Sequence, residues 1–120
     1  MDIQFQSDVA GAAAALSDHA RRRLHYRLLH RADRVARVDV RLGHTGSRRG
    51  RAALYCLMRV QLSGAPAATV VDIGTDAFDT IDRAADRVGR LAEDQLQAAA
   101  APIVRNGPST PITPSRKETA

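Results

Sequence analysis

Hydrophobic and polar residues alternate over the first six positions, with Ile3 and Phe5 on one side and Asp2, Gln4 and Gln6 on the other. A period of two marks a half-buried strand. Ser7 and Asp8 are helix-start residues, and Gly11 frays the turn that follows them. From Ala12 to about Arg31 the period lengthens. Leu16, Ala20, Leu24 and Leu28 recur every four residues and predict a helix with one apolar face. His19, Arg23, Arg27, His30 and Arg34 follow one flank of it. Alternation returns at Val38, Val40 and Leu42, opposite Asp39 and Arg41. Three glycines then predict a loop from Gly43 to Gly50. A long strand follows, with Leu54, Cys56, Met58, Val60 and Leu62 on one side and Arg51, Tyr55, Arg59 and Gln61 on the other. Ser63-Gly64-Ala65-Pro66 turns the chain, and Thr69, Val71 and Ile73 mark a fourth strand that forms a hairpin with the third. Thr75 or Asp76 caps a second helix, with Asp79 in its first turn. Phe78, Ile81, Ala85, Val88, Ala92 and Leu96 carry its stripe to about Ala98, and Gly89 is an interior defect of about 1 kcal/mol relative to Ala.

The order β-α-β-β-β-α predicts an α+β fold: one four-stranded sheet with two helices packed on one face. The other face is then solvated and carries Arg41, Arg51 and Arg59. Residues 1–98 read as one folded domain. Residues 99–120, with Pro102, Pro108, Pro111 and Pro114 among Ser, Thr, Asn and Gly, read as a disordered tail.

Composition narrows the function. The chain has 120 residues, enough for one core and too few for two, and 44% of them are hydrophobic. Two Phe, two Tyr and no Trp leave few rings on which to stack bases. A single cysteine excludes an internal disulfide and fits a reducing compartment. The first residues, MDIQFQSDV, lack the pattern of a secretory signal, and no run reaches the roughly 18 apolar residues of a membrane span. A soluble, cytoplasmic protein is expected.

The net charge is +5, which points to an anionic partner. Its distribution says more. From His19 to Arg59 there are twelve Arg against two Asp (Asp33 and Asp39), whereas from Val60 to Ala98 three Arg face six Asp and one Glu. The clustering carries the argument, since a preference for Arg over Lys also follows from a GC-rich genome. Candidate phosphate contacts are Arg22, Arg23, Arg27, Arg31 and Arg34 on and after the first helix, Arg37, Arg41, Arg51 and Arg59 on strands, and Arg83, Arg87 and Arg90 as a row on the second helix. Arg48 and Arg49 fall at the tip of the predicted loop. The row on the second helix has a bland alternative, a solvated face whose Arg residues pair with Asp79, Asp82 and Asp86 one turn away. Arg21-Arg22-Arg23 has no acidic residue within the next turn.

Catalytic chemistry finds little support. Cys56 lies in the middle of an apolar strand face, where packing is its role. His19, His25, His30 and His44 show no metal-ligand spacing, and Gly43–Gly50 is followed by neither Lys-Ser nor a helix, as a phosphate loop would be. No catalytic residue, metal or cofactor is expected.

Three stretches resemble the ribosome hibernation-promoting factor family, whose members are also called ribosome-associated inhibitors. They are the opening strand MDIQFQS, the passage from Leu24 through Arg34 to Leu42, and the second-helix string from Asp76 through Phe78, Ile81, Asp82 and Asp86 to Val88. The resemblance covers about residues 1 to 97. It implies a protein that occupies the messenger and transfer RNA channel of the small ribosomal subunit and blocks translation under stress. It also implies a short form, without the second domain that pairs ribosomes. A monomer or weak homodimer is expected. One departure stands out. The family ends its second helix with a dense basic run, where this chain has Arg90-Leu91-Ala92-Glu93-Asp94-Gln95-Leu96-Gln97. Two other readings stay open. The α-β-β-β-α part also resembles a double-stranded RNA-binding domain, although Asp76, Asp79 and Asp82 stand where that domain is Lys-rich. A basic module for acidic proteins is the third.

Overall fold

The computed structural model describes residues 1–9 and 11–100. In chain order it contains β1 (Asp2–Ser7), α1 (Ala13–Leu28), a 3-10 segment (Leu29–Arg34), β2 (Val35–Arg48), β3 (Arg51–Leu62), β4 (Ala68–Gly74) and α2 (Ala77–Ala100). The strands form one mixed sheet in the order β1-β2-β3-β4. β1 and β2 are parallel because α1 carries the chain back across the sheet. The two hairpins that follow are antiparallel.

Register aligns the apolar positions into rows across one face. Ile3 sits beside Val38, Val40 beside Met58, and Met58 beside Val70. Onto this face pack Leu16, Ala20, Leu24 and Leu28 of α1 and Ile81, Ala84, Ala85, Val88 and Ala92 of α2. Aliphatic side chains and alanines, with Cys56 and Met58, thus build most of the core, as the scarcity of aromatics requires. Each fully buried Leu, Ile or Val contributes about 1.5–3 kcal/mol. Cys56 is fully buried in the sheet layer of this core. Burial, with a smaller contribution from the charge of Asp72, pushes its thiol up to about 12.

Fold class and element order match the expectation, and several boundaries differ. Ser7 and Asp8 do not start α1. Ser7 ends β1, and the Asp8 amide donates to the Leu42 carbonyl at 3.1 Å, adding one rung to the sheet. The helix begins at Ala13 after a left-handed Ala12 with no side-chain cap. Its far end tightens into the 3-10 segment at Leu29, earlier than the Arg31 expected. The predicted loop from Gly43 to Gly50 is strand as far as Arg48. Only Arg49 and Gly50 turn, both at positive φ (53° and 76°), the backbone that a two-residue hairpin needs. On β4 the alternating Thr69, Val71 and Ile73 face away from the helices, while Ala68 and Val70 enter the core. α2 runs to Ala100, two residues past its expected end. The rest of the segment expected to be disordered, 101–120, lies outside the described residues.

Candidate nucleic-acid interface

The candidate cations divide into three groups according to what faces them. The first forms a ladder between the helices. The α1 flank that carries His19, Arg23 and Arg27 looks at the acidic edge of α2. His19 Nε2 lies 2.6 Å from Asp82 Oδ1, and Arg23 Nε lies 3.2 Å from the same oxygen. Arg23 Nη2 donates to Asp86 Oδ1 at 3.3 Å. Arg27 Nη2 donates to the Asp86 carbonyl at 3.0 Å, while its Nε sits 3.5 Å from the carboxylate. The Nε groups of Arg23 and Arg27 are near enough for attraction but are not aligned for hydrogen bonds. Below them Arg31 grips Glu93 with two parallel bonds, Nε to Oε1 at 3.0 Å and Nη2 to Oε2 at 2.7 Å. This fork raises the Arg31 pKa and holds the Glu93 carboxyl down at about 2. His30 adds a contact to Glu93 at 3.2 Å. Gly89 lets the helices approach, since a Cβ there would lie 2.9 Å from Arg27 Nε and 3.2 Å from Arg27 Cβ. The apparent defect in α2 is the slot through which Arg27 crosses.

The second group caps the sheet edges. On α2, Arg83 Nη2 donates to the Ile73 carbonyl at 3.1 Å and Arg87 Nη1 to the Val71 carbonyl at 3.0 Å. Both side chains also reach the half-buried Asp72, at 3.6 and 3.2 Å. At the opposite edge Arg21 Nη1 donates to the Ile3 carbonyl at 2.9 Å. Exposed strand edges invite pairing with other chains, and these guanidinium groups cover part of both. The row Arg83, Arg87, Arg90 is therefore no uniform face. Among the described residues, only Arg83 with Asp79 (3.4 Å) forms of the expected i, i+4 pairs, because Asp82 and Asp86 turn to α1.

The third group faces solvent and, Arg37 apart, has neutral partners or none among the described residues. On the open side of the sheet Arg41 donates to Gln6 Oε1 (3.0 Å) and Arg59 to Thr69 Oγ1 (3.3 Å), while Arg37 is tied to Asp39 (2.9 Å). Arg34 closes the β3–β4 turn by donating twice to the Ser63 carbonyl. Arg22, Arg51 and Arg90 are exposed and make no ion pair or hydrogen bond among the described residues. The same holds for Arg49 at the hairpin turn.

Sequence reading thus brought together twelve arginines that the fold separates. Arg23, Arg27, Arg31, Arg83 and Arg87 hold the molecule together, and Arg37 is locally neutralised. Arg22, Arg34, Arg41, Arg51, Arg59 and Arg90 keep an uncompensated charge. The pairing of Arg23, Arg27 and Arg31 was hidden because its partners lie about 60 positions on in the chain, and that of Arg83 and Arg87 because it crosses from α2 to β4.

No protein-family profile and no curated protein sequence matches the chain. Solved structures do match its fold. The N-terminal domain of Thermus thermophilus Protein Y superposes with a TM-score of 0.63 at 21% identity, over 78% of this chain and 98% of that one. A ribosomal subunit interface protein from Coxiella burnetii superposes with a TM-score of 0.59 at 16% identity, over 80% and 99%. The chain shares the fold of both.

Proposed function

We propose that this chain is a ribosome-associated RNA-binding protein of the hibernation-promoting factor family. In this reading it occupies the messenger and transfer RNA channel of the small subunit and inhibits translation under stress. The observation that carries it is the fold shared with a ribosomal subunit interface protein, over nearly the whole of that protein. The second-helix string from Asp76 to Val88 and the net charge of +5 point the same way. The protein acts in the cytoplasm, without catalysis or cofactor, and its partner is ribosomal RNA. Among the described residues no helix is long and apolar enough to cross a membrane.

Affinity then comes from phosphate neutralisation, and the shape of the channel supplies specificity. The contacts are drawn from the uncompensated set: Arg22 and Arg90 on the helix layer, Arg34 at its end, and Arg41, Arg51 and Arg59 on the sheet. About six phosphate contacts give a log–log salt slope of roughly −4 to −5.

The test is sedimentation with purified small subunits beside cell-free translation, comparing wild type with Arg22→Glu/Arg90→Glu. Arg23 and Arg27 stay in place because they tie α1 to α2. The expected result is binding that fades with salt, inhibited translation, and weaker binding by the variant. A wild-type protein that neither sediments with subunits nor slows translation would end this reading. Equal affinity for a plain RNA duplex would favour a general double-stranded RNA binder.

A further inference from the structure

β2 and β3 are longer than the strands beside them. β1 last pairs at Ser7 with Leu42, and β4 last pairs at Gly74 with Leu54. Beyond these rungs the two central strands continue alone, through Ser47 with Ala52 and Arg48 with Arg51. Five residues of strand extend about 16 Å. A bulge between His44 and Ser47, with Gly46 at φ 81°, adds twist to this ribbon. Among the described residues nothing covers the tip: a Cβ at Gly46 or Gly50 would meet no atom within 4 Å.

The chemistry of the ribbon is one-sided. Residues 43–52 read GHTGSRRGRA, with three Arg and no Asp or Glu. Arg49 and Arg51 border a cleft whose other wall includes Asp76 and Asp79, yet neither forms an ion pair across it among the described residues. Those carboxylates disfavour an anion deep in the cleft, so the exposed guanidinium groups that border it meet one from the solvent side. The ribbon also lacks what a protein partner would grip. Protein hot spots draw on Trp and Tyr as well as Arg, and this segment has no aromatic ring beside its arginines to fill a pocket; its largest apolar side chain is Ala52. Small residues, hydroxyls and guanidinium groups on a two-stranded ribbon suit a nucleic-acid groove.

We infer that the projecting β2–β3 ribbon is a probe for folded RNA. Its tip enters a groove with Arg49 and Arg51 on phosphates, and Thr45 and Ser47 on phosphate or 2′-hydroxyl oxygens. This deepens the ribosome reading and rests on it for the nature of the partner. It adds Arg49, Thr45 and Ser47 to the contact set and makes the tip a leading element of the encounter.

The experiment measures binding of the full chain to small subunits and, separately, to purified ribosomal RNA over a range of salt. It compares wild type, Arg49→Glu/Arg51→Glu and Arg49→Lys/Arg51→Lys. The Glu pair is expected to weaken binding to both probes by about tenfold or more and to flatten the salt slope by about 1.5 to 2, with the thermal melt unchanged. The Lys pair, which keeps the charge, retains most of the binding. If wild type binds and the Glu pair binds equally well, the inference is overturned and the ribosome reading stands. Wild-type binding to purified RNA but not to subunits ends the ribosome reading alone. Binding to neither probe ends both. Binding to subunits that survives ribonuclease treatment, and is still lost in the Glu pair, makes the partner a protein and overturns the inference.

Discussion

The interhelix ladder and the β2–β3 ribbon use the same residue for opposite ends. On the ladder, Arg23, Arg27 and Arg31 each find a carboxylate of α2 within 3.5 Å, so their charge is spent inside the molecule. On the ribbon, Arg49 and Arg51 find none among the described residues. What decides the role of an arginine is the element that the fold sets opposite it. A basic helix can be a strut, and a glycine-rich tip can be the reactive surface. The acidic second half of the chain is the counter-surface of its basic first half, and what remains unmatched is available to a partner.

The largest disturbance of this contrast is to separate the helices. Gly89→Leu fills the slot that Arg27 uses and forces α2 from α1. A loss of about 1–3 kcal/mol is expected in urea unfolding, with the ribbon still able to bind RNA below the transition. Next, Asp82→Asn/Asp86→Asn removes the carboxylates and keeps their shape. Arg23 and Arg27 then become uncompensated like the ribbon arginines, so RNA binding should strengthen several-fold and its salt slope steepen by about 1 per released cation. An unchanged slope would mean that the ladder surface does not meet RNA at all. A smaller effect follows from Arg83→Ala/Arg87→Ala, which uncovers the Val71 carbonyl and takes one donor from that of Ile73 on the β4 edge. Light scattering should then show more concentration-dependent association than in wild type.

The smallest effect is a pH dependence. Glu93 is held at about 2, below its ordinary 4.5, by Arg31 first and by Gln97 and His30 in addition. A carboxyl whose folded pKa is depressed stabilises the fold fully above the unfolded value. That contribution fades as pH falls through the window from about 4.5 to about 2. Glu93→Gln should therefore melt below wild type at pH 6, and the gap should close across that window.

Much of the fold could be read from the chain because its elements announce themselves locally. The four-residue recurrence of Leu16, Ala20, Leu24 and Leu28 and the alternation from Leu54 to Val60 each name one element and its buried side. What could not be read depends on distant partners. Thr69, Val71 and Ile73 look like a core face, yet Val71 and Ile73 are 47% and 41% exposed because pairing with β3 turns Ala68 and Val70 inward. The glycines from Gly43 to Gly50 signal a loop, and the hairpin uses them for a bulge and a tight turn. The candidate site was less legible than the fold. The local rule pairing Arg83, Arg87 and Arg90 with carboxylates one turn away is a matter of tenths of a kcal/mol. Tertiary pairing overrides it for Asp82 and Asp86.

The lone cysteine has a practical use that its burial creates. With no surface of its own and a thiol that stays protonated up to about pH 12, Cys56 cannot meet an alkylating reagent while β3 is covered by the helices. Modification therefore waits for the helix layer to lift from the sheet, and its rate counts those openings. The molecule carries an internal clock for its own breathing. A ribosome that clamps both layers together would slow that clock, whereas one that touches only the hairpin would leave it running.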